Sequence, residues 1–262
     1  MKKLMFALTT ALVSCVAAAP AFADAPAPTP EFTVTGSAEV ASQYRFRGLS
    51  QSDNLPVFQG SITVTHKSGF YVATWGSSAS DNNSPIYIGG TEIDVYGGWS
   101  HTYSGLTVDG GVYGYLYPGA TTGNYVEVYG DLSKTFGPVT GKVGINYAPA
   151  QKVFNYNFTS PTRNNTYVYG ELSVSPPGTP VTIHSHLGHT GGGFDYAKQY
   201  IDYTVGVSYK WKALTFDASL VGTNIGKSDV DTAFECGVAS ACETYYHRPA
   251  KTVGVVSVTA SF

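Results

Sequence analysis

The sequence has little charge and few sulfur-containing residues. Only 13% of its 262 residues are Asp, Glu, Lys or Arg, and it contains 2 Met and 3 Cys. The formal net charge of -3 gives no electrostatic reason to expect nucleic acid or anionic lipid as a partner. The abundant residues are Gly (30), Tyr (20), Ser, Thr and Val. This composition is unlike that of a disordered polar chain or a helical enzyme, and it predicts an all-β protein.

Long apolar runs are also scarce. The single extended one lies in residues 1–23, where Lys2 and Lys3 precede an apolar stretch that ends at the small-x-small site Ala21-Phe22-Ala23. This arrangement predicts a secretory signal peptide over residues 1–23. No later run approaches the roughly 20 apolar residues that a membrane helix needs. A membrane location would therefore require a β-barrel.

The three cysteines fall into two groups. Cys15 follows Leu12-Val13-Ser14, which resembles a bacterial lipoprotein cleavage box, so lipidation at Cys15 is an alternative to cleavage after Ala23. The stretch after Cys15 stays apolar where a lipoprotein usually turns polar, which favours cleavage after Ala23. Cys236 and Cys242 lie close together in a polar segment of an exported chain, so we expect a disulfide between them.

Beyond a Pro-rich linker at residues 24–31, the chain predicts a single antiparallel β-barrel over residues 32–262. Twelve segments show the two-residue alternation of a β-strand, and most have about the 9 to 11 residues that a tilted strand needs to cross a bilayer. These segments are 33–47, 56–66, 70–77, 91–101, 106–117, 125–136, 139–148, 166–174, 180–189, 199–209, 214–222 and 252–262.

The connections between the segments alternate in length. Tight links at 67–69, 102–105, 137–138, 175–179 and 210–213 alternate with longer polar links at 48–55, 78–90, 118–124, 149–165, 190–198 and 223–251. Five short and six long links are what an even barrel of about twelve strands requires, with both termini at the short-link end. This is the pattern of bacterial outer-membrane barrels, which have short periplasmic turns and longer extracellular loops.

The last segment, 252–262, is rich in β-branched residues and ends on Phe262. A terminal strand of this kind needs partners on both edges, so we expect it to pair with the penultimate and the first strand and thereby close the barrel. The Phe262 ring is expected to face lipid at the periplasmic rim. Outer-membrane lipid, the barrel-assembly machinery during insertion, and small hydrophilic solutes are the expected partners.

Side-chain alternation assigns the faces of the strands. In the segment 125–136, Val126, Val128 and Leu132 share one face, and Glu127 and Asp131 share the other. Apolar side chains are expected to face lipid and polar ones the lumen. Applied throughout, alternation predicts pore-lining acids and bases: Glu39, Glu92, Asp94, Asp109, Glu127, Asp131, Glu171, Asp202 and Asp217, with Arg45, Arg47 and Lys142.

Nine inward acids against three inward bases favour a hydrated lumen that prefers cationic or neutral solutes to anions. Arg45 and Arg47, both predicted on the first strand, should form part of a constriction. In the alternative hypothesis, these two arginines bind acids across the lumen and close it as a plug. The excess of acids prevents complete pairing, which favours the hydrated lumen.

Three histidines are the most enzyme-like feature of the sequence. Alternation directs His184 and His186 into the lumen and His189 to the opposite face, so the three cannot share one face of a regular strand. The two inward imidazoles are weak candidates for a transition-metal site aided by Asp202. Hydrogen-bonded polar lumen residues are the simpler interpretation. No nucleophile motif surrounds them, so neither an enzyme nor a cofactor is expected.

The stretch Ser42 to Ser52 (SQYRFRGLSQS), continued by residues 56–60 and by 67–75 (KSGFYVATW), resembles the TorF family of porin-like proteobacterial outer-membrane proteins. The resemblance is specific over residues 36–101. It implies an outer-membrane location and a barrel architecture more firmly than it implies a solute. It carries no catalytic residues over to this chain.

Together these patterns predict a porin-like channel for passive diffusion of small hydrophilic solutes, neutral or cationic. The alternative is a non-conducting outer-membrane barrel that acts as a structural protein or adhesin through its extracellular loops. A soluble secreted β-protein is a third possibility, and it requires the outward apolar faces to be buried against another sheet.

Overall fold

A computed structural model describes residues 30–80, 84–154, 163–237 and 240–262. The predicted signal peptide (1–23), the alternative lipidation at Cys15 and most of the predicted linker (24–31) lie outside the described residues.

Twelve antiparallel strands form one closed barrel, which confirms the predicted fold. Each strand pairs with its neighbours in the sequence, and the last pairs with the first. The strands are β1 (Phe32–Ala41), β2 (Val57–His66), β3 (Phe70–Ser78), β4 (Thr91–Tyr103), β5 (Leu106–Leu116), β6 (Tyr125–Phe136), β7 (Val139–Ala148), β8 (Asn165–Val174), β9 (Val181–Gly192), β10 (Tyr200–Trp211), β11 (Leu214–Thr223) and β12 (Val253–Ser261).

The seam of the barrel lies between β1 and β12. Their register runs from Ser37 opposite Ser261 to Ala41 opposite Ser257, and β12 also pairs with β11, as the terminal segment predicted. Phe262 extends the seam through two backbone hydrogen bonds to Gly36. The Phe262 N–H donates to the Gly36 carbonyl at 3.1 Å, and the Phe262 carbonyl accepts from the Gly36 N–H at 2.9 Å. Its ring covers Gly36, where a Cβ would come within 2.6 Å of the ring. Gly36 therefore makes room for the terminal ring.

The wall follows the alternation read from the sequence. On β6, Val126, Val128 and Leu132 are exposed on the outer surface, whereas Glu127 is buried inside. The links at one end, here called the turn end, are short. In the link between β4 and β5, Ser104 and Gly105 both have positive φ, at 50° and 80°, the conformation that two-residue hairpin turns require.

The opposite end, here called the loop end, carries the longer connections. The connection between β11 and β12 contains α1 (Lys227–Phe234), α2 (Ser240–His247) and a 3-10 turn at Arg248–Ala250. Further 3-10 turns occupy Thr121–Gly123 and Lys152–Phe154. Among the described residues, no helix combines the length and the apolar character needed to cross a membrane.

The first connection does not extend away from the barrel. β1 ends at Ala41 instead of continuing to residue 47, and the chain then forms a short hairpin, here called the mouth hairpin (residues 45–50), in which Arg45–Phe46 pairs with Leu49–Ser50. Arg47 and Gly48 form its turn, with φ of 48° and 78°. The prediction that Arg45 and Arg47 lie on the first strand is therefore wrong. Two consecutive residues of positive φ reverse the chain where alternation alone predicted a continuous strand.

The buried apolar residues gather at the loop end. Leu49 of the mouth hairpin packs with Tyr200, Ile225, Val230 and Ala250. A second cluster joins wall residues to the loops: Tyr115, Tyr117, Tyr125, Ala148 and Phe154. These clusters fill the loop-end half of the barrel.

We expect deletion of Phe262 to lower the stability of the refolded barrel more than Phe262→Ala does. The deletion removes both backbone hydrogen bonds to Gly36 together with the ring, whereas the alanine variant removes only the ring. The urea midpoint of unfolding in detergent micelles measures both effects. Equal losses would mean that the ring, and not the backbone pairing, stabilises the seam.

Candidate functional site in the barrel lumen

A cavity of about 1030 Å³ occupies the lumen. It reaches the turns at Gly105 and Gly137 at one end, and Phe46, Arg47 and Gly48 of the mouth hairpin line it at the other. A Cβ added at Gly105 or at Gly137 would meet open space. The cavity therefore extends from the turn end to a ceiling formed by the mouth hairpin.

The predicted pore-lining residues all lie inside the barrel, but at two levels. Ten of the twelve line the cavity: Glu39, Arg45, Arg47, Asp94, Asp109, Asp131, Lys142, Glu171, Asp202 and Asp217. Glu92 and Glu127 are instead buried in the loop-end half, at 1% and 0% exposure. That these residues line a path for a solute stays a prediction.

Charged side chains on the cavity wall interact with their neighbours along the sheet. Lys142 Nζ lies 3.1 Å from Asp131 Oδ2. Asp109, directly opposite Asp131 in the register, accepts a hydrogen bond from the Tyr71 hydroxyl at 2.8 Å. Glu39 accepts one from Thr259 Oγ1 at 2.6 Å. Two lysines, Lys134 and Lys142, line the cavity together with seven carboxylates, so the lining is predominantly acidic.

The two inward histidines have different carboxylate partners. His184 Nε2 lies 2.7 Å from Asp217 Oδ2. His186 Nε2 lies 3.1 Å from Asp202 Oδ1, and its other ring nitrogen lies 3.4 Å from Glu171 Oε1. Asp202 thus meets only one of the two imidazoles. Within the described parts of the chain, no three His, Cys, Asp or Glu side chains converge as metal ligands.

Arg47 is the charged residue at the centre of the ceiling. Its guanidinium NH2 donates to Glu127 Oε2 at 2.6 Å, and the two side chains are almost completely buried. The guanidinium carbon lies 4.3 Å from the centre of the Tyr167 ring and 4.7 Å from that of Phe46. In the barrel order, β6 and β8, which carry Glu127 and Tyr167, are each five strands from β1. The chain leaving β1 therefore crosses the full width of the lumen.

Arg45 does not face an acid across the lumen. Its guanidinium donates to the Pro249 carbonyl at 2.6 Å, to the Lys251 carbonyl at 3.1 Å and to Asn54 Oδ1 at 2.5 Å. It therefore joins the mouth hairpin to the connection that precedes β12. These bonds hold the mouth segment in place, and the expectation that Arg45 forms part of a constriction stays a prediction.

The last connection covers the mouth hairpin. Arg248 donates twice to the Asp53 carboxylate, at 2.7 and 2.9 Å, which ties the two segments together. The predicted disulfide between Cys236 and Cys242 is present and links α1 to α2. The two helices, with the hairpin beneath them, form a lid over the loop end.

The lid is also held by a charge at the start of α1. Lys198 Nζ lies 2.7 Å from Asp229 Oδ2, and the Gly226 N–H donates to the same oxygen at 2.8 Å. The lysine first, and the backbone N–H second, hold the pKa of the Asp229 carboxyl below its usual value. The carboxylate thus serves both the helix start and the link to the neighbouring loop.

Solved structures with a similar fold are porins. A KdgM porin structure aligns with a TM-score of 0.53 at 13% identity, covering 87% of this chain and 99% of that one. A NanC porin structure aligns with a TM-score of 0.54 at 12% identity, covering 88% and 99%. A second KdgM structure, with a TM-score of 0.53 at 12% identity, is described as a complex with disordered oligogalacturonate. At this level of identity the similarity establishes the porin-type barrel fold and nothing finer.

Residues 25–262 match the family described as "Bacterial protein of unknown function (Gcw_chp)", and the chain belongs to this family. A comparison with curated proteins gave no match. The resemblance to the TorF family stays a prediction.

We expect Arg47→Met to destabilise the refolded barrel by about 3 to 5 kcal/mol, because it leaves the Glu127 carboxylate buried without its cation. The double variant Arg47→Met/Glu127→Gln should recover part of this loss, since the orphaned charge is then removed. Urea unfolding in micelles measures both variants.

Arg163→Met is the control for this prediction. Arg163 pairs with Asp195 at 2.8 Å, but the pair is partly exposed, so its loss should cost no more than about 1 kcal/mol. If the double variant Arg47→Met/Glu127→Gln is less stable than Arg47→Met, the unpaired Glu127 carboxylate is not the cause of the lost stability.

Proposed function

We propose that this protein is an outer-membrane channel for small hydrophilic solutes, neutral or cationic, and that the mouth hairpin holds it closed in the conformation described here. The turn end would face the periplasm and the loop end the exterior. The observation that carries the proposal is an acid-lined cavity inside a closed barrel whose outer surface is apolar.

The outer surface supports a membrane location. Large apolar side chains are exposed on strand after strand, among them Leu187 at 59%, Val143 at 59% and Val205 at 58%. A water-soluble protein rarely exposes an apolar belt of this extent. The soluble alternative required these faces to be buried against another sheet, and among the described residues they are exposed.

The charge of the cavity supports a preference for cations. Seven carboxylate side chains line it, against two lysines and two arginines. Lys142 lies beside Asp131, Lys134 lies over the Phe136 ring, Arg47 pairs with Glu127, and Arg45 donates to backbone carbonyls. Carboxylates along a narrow path raise the local concentration of cations. Oligogalacturonate, the ligand of one KdgM structure, is a polyanion. The lining of this lumen is mainly acidic and would repel a polyanion, so we propose a different class of solute.

The cover on the loop end favours a second candidate function. The mouth hairpin, α1 and α2 close that end with buried apolar side chains, as a non-conducting barrel would require. Such a protein would act through its exposed loops as a structural component or adhesin. The two candidates differ in whether the mouth hairpin can leave the lumen.

Membrane insertion can be tested on one strand pair. Leu187→Arg places a charge on the outer surface and should destabilise the barrel in lipid vesicles by about 2 to 4 kcal/mol if that surface faces the bilayer core. Thr204→Arg is the matched control. Thr204 lies opposite His186 in the register, at nearly the same depth, but lines the cavity. Equal effects of the two changes on the urea midpoint would contradict the membrane assignment.

Channel activity can be tested by loosening the ceiling. A Cβ at Gly48 would lie 2.7 Å from Thr223 Cγ2 on the wall, so Gly48→Ala should push the hairpin off the wall and raise single-channel conductance in planar bilayers. The reversal potential in a salt gradient should then indicate cation preference.

Gly105→Ala is the control for this experiment. Gly105 has a similar φ, 80° against 78° at Gly48, but its added Cβ would meet open space. Both variants strain the backbone, and only Gly48→Ala disturbs the ceiling. Silent bilayers with a correctly folded Gly48→Ala barrel would count against the channel and favour the non-conducting alternative.

A further inference from the structure

The Arg47 guanidinium occupies a chamber that has the features of a binding site for an organic cation. This chamber, here called the cation cage, is formed by Glu127, Tyr167, Phe194 and Phe46. Three rings surround the guanidinium carbon at 4.3, 4.7 and 5.8 Å, and a carboxylate lies 2.6 Å from its NH2. Aromatic faces together with a carboxylate are a recurring means of binding desolvated organic cations.

The barrel wall holds two of the four cage residues, Glu127 and Tyr167, independently of Arg47. Glu127 Oε2 accepts hydrogen bonds from the Tyr115 hydroxyl and from Asn146 Nδ2, each at 3.2 Å. Tyr167 is fixed by donating to Asp202 at 3.1 Å. The carboxylate and the main ring therefore belong to rigid strands, and their positions are set by neighbours on the wall. A site held in this way is preorganised for a cation other than the arginine side chain.

Arg47 fits the cage imperfectly. It donates to only one oxygen of Glu127, and both its own NH1 and the second oxygen, Oε1, are buried without a hydrogen-bond partner. A guanidinium free to orient itself can donate to both oxygens of a carboxylate at once. Arg47 is prevented from doing so by its attachment to the hairpin turn. A guanidinium ligand that is not attached to the hairpin could therefore use both carboxylate oxygens of Glu127, where Arg47 uses one.

The backbone at Arg47 adds to the mismatch. Its φ of 48° lies in the left-handed region, which is unfavourable for a residue with a long side chain and is common at sites where strain is linked to function. The following residue, Gly48, touches the wall so closely that a Cβ would overlap Thr223 and Asp202. The hairpin is thus placed in the mouth by contacts that oppose its own local preference.

The cage is adjacent to the lumen cavity. Arg47, Phe46 and Tyr167 line both the cage and the top of the cavity. The carboxylates of Asp202 and Asp94 line the same cavity, and each has one buried oxygen without a hydrogen-bond partner. A cation that left the cage for the cavity would therefore meet further acids.

We propose that the cation cage is a binding site for solutes that carry a guanidinium or a similar planar organic cation, and that Arg47 is a tethered occupant that fills it when the channel is closed. This inference rests on the proposed channel function. A planar, weakly hydrated cation suits a cage with three rings better than a compact, strongly hydrated ammonium or metal ion does.

Because Arg47 is covalently attached beside the cage, it must be removed before binding of a free cation can be measured. A side chain attached next to its site has an effective concentration that a free ligand at millimolar concentration does not match. Arg47→Ala vacates the cage and removes this competitor. Methylguanidinium is then the probe. Methylammonium is the matched control, because it has the same charge but lacks the planar group and the paired N–H donors of a guanidinium.

The first measurement is the thermal midpoint of unfolding of the refolded barrel, monitored by the change in its gel mobility on heating. Methylguanidinium at millimolar concentration should raise the midpoint of Arg47→Ala by about 3 °C, since it binds only the folded cage. Methylammonium should leave it unchanged. Arg47→Ala/Glu127→Gln, which lacks the carboxylate charge, should not respond to either cation.

Arg45→Ala is the control for nonspecific stabilisation. Arg45 belongs to the same hairpin but bonds to Pro249 and Lys251 and lies outside the cage. A rise in its midpoint equal to that of Arg47→Ala would overturn the proposal, as would the absence of any rise for Arg47→Ala. If Arg47→Ala does not refold, Arg47→Gln keeps a polar side chain of similar length in the chamber and receives the same titration.

Single-channel recording separates this inference from the channel proposal. Arg47→Ala should conduct, and methylguanidinium added to the loop-end side should reduce its current at least tenfold more effectively than methylammonium. A silent Arg47→Ala that still shows thermal rescue would support the cage and count against the channel. A conducting Arg47→Ala with neither rescue nor selective block would retain the channel and overturn the cage.

Discussion

Backbone hydrogen bonding at the seam between β1 and β12 is the constraint on which the rest of this structure depends. An open sheet of twelve strands would leave two edges of unpaired N–H and C=O groups, and in a bilayer no water could satisfy them. Closure pairs these edges and fixes the interior as a separate compartment. Only inside such a compartment can many carboxylates lie beneath an apolar outer surface. The chemistry of the lumen is thus a consequence of how the wall is completed.

The interior is divided by the way its charges are neutralised. In the half near the turns, carboxylates outnumber cations and border a cavity. In the half near the loops, Glu127 is matched by Arg47, and aromatic rings fill the surrounding space. A buried ion pair costs desolvation energy that its own attraction only partly returns, so this arrangement is weak as a source of stability. In the proposed channel, the pair would instead stabilise the closed position of the mouth hairpin.

Alternation and link length were sufficient to predict the wall, because a strand that faces two environments must repeat every two residues. Ten of the twelve predicted inward charges lie on regular strands, and all ten are inside the barrel, eight of them on the cavity wall, since each follows from the phase of its strand. The same rule failed at Arg45 and Arg47. Tyr44 to Arg47 continues the alternation, so the pattern gave no sign that β1 ends at Ala41.

The signal that was present was local: Arg47 and Gly48 adopt positive φ in a two-residue turn, for which Gly is the usual marker. The partners of Arg47 could not be found from sequence, because Glu127 lies on the opposite wall.

The two segments that meet at the mouth also flank the seam. The hairpin follows β1, and the residues that receive the Arg45 guanidinium, Pro249 and Lys251, immediately precede β12. Their contact exists only when β12 is beside β1, so during assembly the mouth is completed in the same event that joins the last strand to the first.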